Sequence, residues 1–204
     1  MDYVKELIDF YPALSVCESD IRAACGMMID CFSSGGKLLC CGNGGSSADC
    51  DHFVGELMKG FLLERPLNAE EISRFDNDYV PKRLQKGLPA VSLSSQTALM
   101  TAYVNDCGAE TVFAQQVYAL AKEGDILVAF STSGSSENVI YALEAAKASG
   151  IKSVAVTGLS GGKCAEKADV CIKIPQSETR RVQELTLPVY HCLAAQVEQH
   201  FFGK

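Results

Sequence analysis

The chain has 204 residues, 48% of them apolar and 21% charged, with 25 acids against 18 bases for a formal net charge of -7. That length suits one domain with a full core, and no run of about 18 apolar residues offers a membrane span. The acidic balance disfavours a nucleic-acid surface but leaves room for a small anion held locally by backbone N–H groups. Neither a membrane nor a nucleic acid is therefore an expected partner. The ten cysteines lie in apolar patterns without a Cys-x-x-Cys pair, so they read as buried, reduced thiols. With the acidic start Met1-Asp2-Tyr3-Val4-Lys5-Glu6, this predicts a cytoplasmic protein.

Residues 1–35 carry two helical patterns, Val4, Leu7, Ile8 and Tyr11, then, after Pro12, Ile21, Ala24, Met28, Ile29 and Phe32. The first is apolar enough to need cover, which either the chain's own domain or a second subunit can supply. Leu38 to Cys41 is short and wholly apolar, as in a central parallel strand covered on both faces. Asn43-Gly44-Gly45-Ser46-Ser47 follows, a turn whose N–H groups and hydroxyls can cradle an anion, with Ser46 or Ser47 capping a helix from about Ala48 to Met58. The pattern lacks the last Gly of a dinucleotide loop, Ser47 standing there, and no nucleotide cofactor is expected. On this helix His52 and Glu56 are spaced i, i+4, on one face; such a pair can bind a metal, share a proton, or be an ordinary surface pair.

The stretch Leu67 to Gly87 is heavily charged and punctuated by Pro81. It is longer than an ordinary connection and reads as a lid or a peripheral insertion. Ala90 to Leu93 predicts a second strand, Gln96 to Val104 a helix, Asn105-Asp106-Cys107-Gly108 a break, and Phe113 to Ala121 a helix. Ile126 to Phe130 is a third strand, followed by Ser131-Thr132-Ser133-Gly134-Ser135-Ser136 and another helix. This repeats the first strand, loop and helix, with hydroxyls suited to a phosphate monoester. Strands at Ser153 to Thr157 and Val170 to Ile174, and a long helix from Glu178 to Phe202, complete the chain. Strands alternating with helices give an α/β class, a three-layer α/β/α sandwich around a parallel sheet of about five strands, in a single domain spanning residues 1–204. Ligands in such sheets sit at the carboxyl ends of the strands.

Cys41-Gly-Asn-Gly-Gly-Ser46, His52-Phe-x-x-Glu56, Asn105-Asp106, Ser131-Thr-Ser-Gly134-x-Ser136, Thr157-Gly158 with Gly161-Gly162-Lys163, and Arg181-Val-Gln-Glu184 with His191 together resemble the sugar isomerase (SIS) domain family, in particular its phosphoheptose isomerases. The resemblance implies a ketose-aldose isomerase converting sedoheptulose 7-phosphate to D-glycero-D-manno-heptose 7-phosphate through a cis-enediol. It makes Glu56 and His191 the catalytic pair. It also assigns Ser46, Ser131, Thr132, Ser133 and Ser136 to the phosphate, and Asn43, Gly44, Gly45, Asn105, Asp106 and Gln183 to the rest of the substrate. Zinc held by His52, Glu56, Gln183 and His191 is implied for some members; the competing reading is that Glu56 and His191 act without metal. A homotetramer with active sites between subunits is implied too, the N-terminal helices in its interface. The chain departs from the family at Gly60, where an Arg is usual and Lys59 is adjacent, at Thr186, where a His is common, and in the Leu67 to Gly87 insertion. The alternative is a non-catalytic SIS-fold module that senses a sugar phosphate or binds a protein such as a replication initiator.

Two physical questions stay with the site. Burial of Glu56 at the foot of an apolar helix would raise its pKa. Gln183 and His191 lie eight residues apart, about 12 Å on a straight helix, so serving one ion requires a kink at Pro188 or ligands from two subunits.

Overall fold

The computed structural model describes residues 1–203. In chain order the elements are α1 (Tyr3–Phe10), a 3-10 segment (Pro12–Cys17), α2 (Glu18–Ser33), β1 (Leu38–Gly42), α3 (Gly45–Met58), α4 (Ala69–Ile72), β2 (Ala90–Ser92), α5 (Thr97–Asp106), α6 (Val112–Leu120), β3 (Ile126–Ser131), α7 (Glu137–Ala148), β4 (Lys152–Thr157), α8 (Cys164–Lys167), β5 (Val170–Lys173) and α9 (Thr179–Phe202). The five strands form one parallel sheet in the order β2-β1-β3-β4-β5.

Burial on both faces explains the continuous apolar runs. Leu38 and Cys40, with Ile126, Val128 and Phe130, pack under α1, α2, α3 and α9. Their alternates Leu39, Cys41, Leu127 and Ala129 pack under α6 and α7. The helix after β1 therefore covers one face and the helix after β3 the other, although these strands are neighbours. That reversal opens a crevice at the carboxyl ends of β1 and β3, the place where such sheets bind ligands.

Two local readings are corrected. The helix after the first loop begins at Gly45, not Ala48, with Gly44 as its N-cap at φ 56° and no side-chain cap bond, so Ser46 and Ser47 lie inside the helix. The break at residues 105–108 is shorter, since Asn105 and Asp106 form the last turn of α5. The helix α9 runs unbroken through Pro188.

The 67–87 excursion leaves and returns at the foot of α3. A bridge between Pro66 and Gln85 closes its base, and Gly60 N–H donates to Gln85 Oε1 at 2.5 Å. Beneath it Glu198, fully buried, accepts the N–H groups of Phe61, Leu62 and Leu63 and the Nε–H of buried Arg65. Arg65 in turn donates to the Leu57 carbonyl at 2.8 Å. All ten cysteines are free thiols and eight of them are buried. Among the described residues no helix is long and apolar enough to cross a membrane.

Candidate active site

The first cluster sits in the crevice. Asn43, after β1, and Asn138, in the first turn of α7, exchange two amide hydrogen bonds of 2.8 and 2.9 Å and tie the two loops together. Ser46 is buried beside them. After β3, Gly134 N–H donates to the Ser131 carbonyl, Ser135 N–H to Ser133 Oγ at 3.1 Å, and Ser131 Oγ lies 3.3 Å from Ser136 Oγ. Gly134 is at φ 65°, and a Cβ there would stand 2.0 Å from the Gly161 carbonyl oxygen, while a Cβ on Gly162 would stand 2.4 Å from the Gly134 carbonyl oxygen, which accounts for a glycine on each side of this contact. Ser136 caps α7 with no side-chain bond to the helix. Its hydroxyl and the first-turn N–H groups are thus available to an anion that two helix N-termini favour. Gln183 belongs to this cluster, its amide so close to Gly45 that a Cβ there would meet it at 2.5 Å.

The second cluster lies further along α3, which runs beside α9. His52 Nε2 is 3.2 Å from Glu56 Oε1 and 3.5 Å from His191 Nε2. His52 Nδ1 is 2.9 Å from the hydroxyl of Tyr190, and the Phe61 ring lies against His191 at 5.2 Å. Lys59 Nζ holds the other oxygen of Glu56 at 2.7 Å. Burial pushes the Glu56 carboxyl up in pKa, but the hydrogen bond and charge of Lys59, with His52, outweigh it and hold the group below its ordinary value. The expected rise is therefore reversed, and Glu56 is a carboxylate at neutral pH. Burial, then the neighbouring His52, keep His191 below the ordinary imidazole value against the pull of Glu56. A carboxylate and a neutral imidazole thus stand ready to take and to donate protons.

The third group, Asn105 and Asp106, is exposed at the end of α5, its polar atoms bonded to each other. The chain brings together His52, Glu56 and His191, and separately Asn43, Gly44, Gly45, Ser46, Ser131, Thr132, Ser133, Ser136 and Gln183. It does not bring Asn105 and Asp106 to either cluster. Nor does it bring Gln183 to His52, since Gly45 and His52 are seven residues, about 10 Å, apart on α3.

The donor set of the second cluster has the chemistry that zinc takes, two imidazoles and a carboxylate. The spacings of 3.2 and 3.5 Å around His52 Nε2 match the edges of a tetrahedron with bonds of about 2.0 to 2.2 Å. Among the described residues, however, no three His, Cys, Asp or Glu side chains converge on one point. The donors form a string through His52, with Glu56 on one side of Nε2 and His191 on the other, and Gln183 lies apart from it.

Sequence reasoning missed Asp49 and the role of Tyr190. Asp49, His52 and Glu56 share one face of α3 at i, i+3 and i+7, and Tyr190 precedes His191. Nothing in one sequence says that α3 and α9 lie side by side. Burial, and then the charge of Asp49, push the Tyr190 hydroxyl well above its ordinary pKa.

Comparison with known proteins adds the following. Two SIS domain family models match, one over residues 87–196 and the other over residues 2–86. The phosphoheptose isomerase of Shewanella baltica is 39% identical over 193 residues, 93% of this chain and 88% of its own. That of Aneurinibacillus thermoaerophilus is 40% identical over 174 residues, 85% and 78% of the two chains. The structure of phosphoheptose isomerase from Neisseria gonorrhoeae superposes with a TM-score of 0.77 at 33% identity, covering 96% of this chain and 94% of its own.

Proposed function

The chain belongs to the SIS domain family, and on that premise we propose that it is a phosphosugar ketose-aldose isomerase converting sedoheptulose 7-phosphate to D-glycero-D-manno-heptose 7-phosphate. The observation that carries this reading is the Glu56 carboxylate, held ionised between Lys59 and His52 beside a neutral His191, in a chain similar over most of its length to phosphoheptose isomerases. Glu56 removes a proton from C1 of the ketose, the electron pair forming the C1–C2 double bond as the carbonyl π pair moves to its oxygen. That oxygen receives a proton, with His191 as donor, and a cis-enediol results. Loss of the O1 proton and return of a proton from Glu56 to C2 give the aldose. A carboxylate of lowered pKa is a modest base, so His191 must stabilise the enediol.

Ser46 and the Ser131 to Ser136 loop hold the phosphate in this reading. Ten residues separate Ser46 from Glu56, about 15 Å along α3, whereas a seven-carbon chain with its phosphate reaches about 10 Å at standard bond lengths. The separation of the two clusters along α3, with Gln183 at the first and away from His52, supports a homo-oligomer, a tetramer in our reading, whose active sites join the phosphate loop of one copy to the Glu56 cluster of another. The same association would bring in Asn105, Asp106 and Gln183, and would cover the exposed Phe10 of α1 and Leu99 and Val104 of α5. His52, Glu56 and His191 would hold zinc, with Gln183 of a second copy as the fourth ligand. Bound there, zinc supplies Lewis-acid polarisation of the substrate's oxygens. Ten unpaired thiols suit a reducing cytoplasm. A non-catalytic sugar phosphate sensor would have no use for a poised carboxylate and imidazole, and is disfavoured. Incubating the protein with five- to seven-carbon ketose phosphates and reading products by NMR tests the assignment: an aldose from sedoheptulose 7-phosphate is expected, and turnover only of a shorter sugar would overturn it.

A further inference from the structure

We infer that Asn138 is a positioning residue for the phosphate cradle, holding the Asn43 turn and the Ser131 to Ser136 loop at the spacing of one anion. Asn43 follows β1 and precedes Gly44, the N-cap of α3; Asn138 is the second residue of α7, after its N-cap Ser136. Their amides exchange Nδ2–H donors across 95 residues of sequence, at 2.8 and 2.9 Å. The two strands pair only as far as Gly42 and Phe130. Beyond that point, among the described residues, no other hydrogen bond joins residues 43–47 to residues 131–138. The second loop is already fixed from the β4 side, where Gly158 N–H donates to the Thr132 carbonyl and Cys164 N–H to the Gly134 carbonyl, each at 2.9 Å. The Asn43 turn has no such backbone brace: Gly44 is at φ 56°, and a Cβ there would meet nothing within 4 Å. Asn138 thus ties the looser turn to the fixed loop.

The pair offsets a repulsion that the crevice itself creates. Each helix N-terminus carries roughly half a positive charge, so α3 and α7 bring two like poles together, and an anion between them relieves the repulsion. In the free protein a neutral tie must hold them. The backbone N–H groups of Gly45, Glu137 and Asn138 find no acceptor among the described residues and are donors for the anion. An amide suits the tie because it has two donors and two acceptor lone pairs; the pair uses one of each, leaving the rest for a substrate oxygen. Turning one amide alone would set oxygen against oxygen and nitrogen against nitrogen, so each fixes the orientation of the other. An Asp in either place would face the phosphate with a like charge, and an apolar side chain would leave its partner unpaired. A cradle held at its bound spacing before the ligand arrives spares part of the ordering cost of binding.

Asn138 has this role only if the crevice binds phosphate as proposed above, and the test separates the two. Inorganic phosphate is the probe, so that contacts of Asn43 with a sugar do not enter. Calorimetric titration of wild type, Asn43→Ala, Asn138→Ala and the double variant, each with native circular dichroism, closes a double-mutant cycle. Asn138→Ala should weaken phosphate binding about 3- to 30-fold, the worth of one or two net hydrogen bonds, and should add little further loss once Asn43 is replaced. With sedoheptulose 7-phosphate the same variant should raise KM more than it lowers kcat, because the phosphate is held alike before and during the reaction. Unchanged affinity in Asn138→Ala, or losses that add in the double variant as they would if Asn138 touched the anion itself, would overturn the positioning role. A wild type that binds no phosphate would instead overturn the phosphate reading and the cradle with it. Phosphate binding with non-additive losses but no turnover would uphold the tie and count against the isomerase alone.

Discussion

Glu56 is the base in the proposed reaction, and its surroundings determine what replacing it should do. Glu56→Gln keeps the shape and the contact with Lys59 while removing the base, so kcat should fall about 100- to 10,000-fold with KM little changed; steady-state kinetics on the folded variant measures this split. His191 gives a prediction about stability. Because burial and His52 hold its pKa below the ordinary 6.5, the unfolded chain binds a proton more readily than the folded one as the pH falls. Its stabilising contribution is therefore fully present above about pH 6.5 and is lost as pH drops towards the lower folded value. Denaturant unfolding of wild type and His191→Gln across pH 5 to 8 should show the variant with the flatter profile. At this scale the sequence pointed to side chains that the fold does bring together, because His52 and Glu56 are one helical turn apart and histidines are few. It did not reveal Lys59 as the group that lowers the pKa of Glu56, since a cation three residues away on an amphipathic surface is ordinarily just solvated.

Strands and loops were the most legible elements. The central strands β1 and β3 are buried along their whole length, which requires the unbroken apolar runs at Leu38 and Ile126, and each ends in a loop whose composition differs sharply from its own. Helix starts were less legible: Ser46 and Ser47 look like caps, but Gly44 takes the left-handed conformation and the serines fall inside the first turn. Two predictions belong here. Ser131→Ala with Ser133→Ala should weaken inorganic phosphate binding by about 1 to 3 kcal/mol if charge-assisted hydrogen bonds are lost; calorimetric titration reads it, and unchanged affinity would move the phosphate elsewhere. Glu198→Ala should destabilise the fold by about 3 to 5 kcal/mol in denaturant titration, because it leaves Arg65 charged and unpaired in the core and frees the N–H groups of residues 61–63. The sequence hid this clamp, since one acid in the apolar second half of α9 carries no mark of its partner 133 residues away.

At the scale of the whole molecule, sheet order could not be read from one chain, and with it the crevice between β1 and β3. The sequence placed both loops at the carboxyl ends of strands; only the topology makes them neighbours, joined through Asn43 and Asn138. The separation of Ser46 from Glu56, about 15 Å along the axis of α3, was equally hidden, because spacing along a helix acquires meaning only when both ends are assigned to one substrate. Light scattering at micromolar concentration should therefore give a multiple of 21.9 kDa, a tetramer in our reading, and a monomer would break the composite site. The most direct measurement follows sedoheptulose 7-phosphate by proton NMR in deuterium oxide. The account predicts an aldoheptose 7-phosphate carrying deuterium at C2, where Glu56 returns a proton that has exchanged with solvent, and loss of both product and label in Glu56→Gln. Absence of aldose with the wild type, or undiminished product from the Glu56→Gln variant, would contradict it.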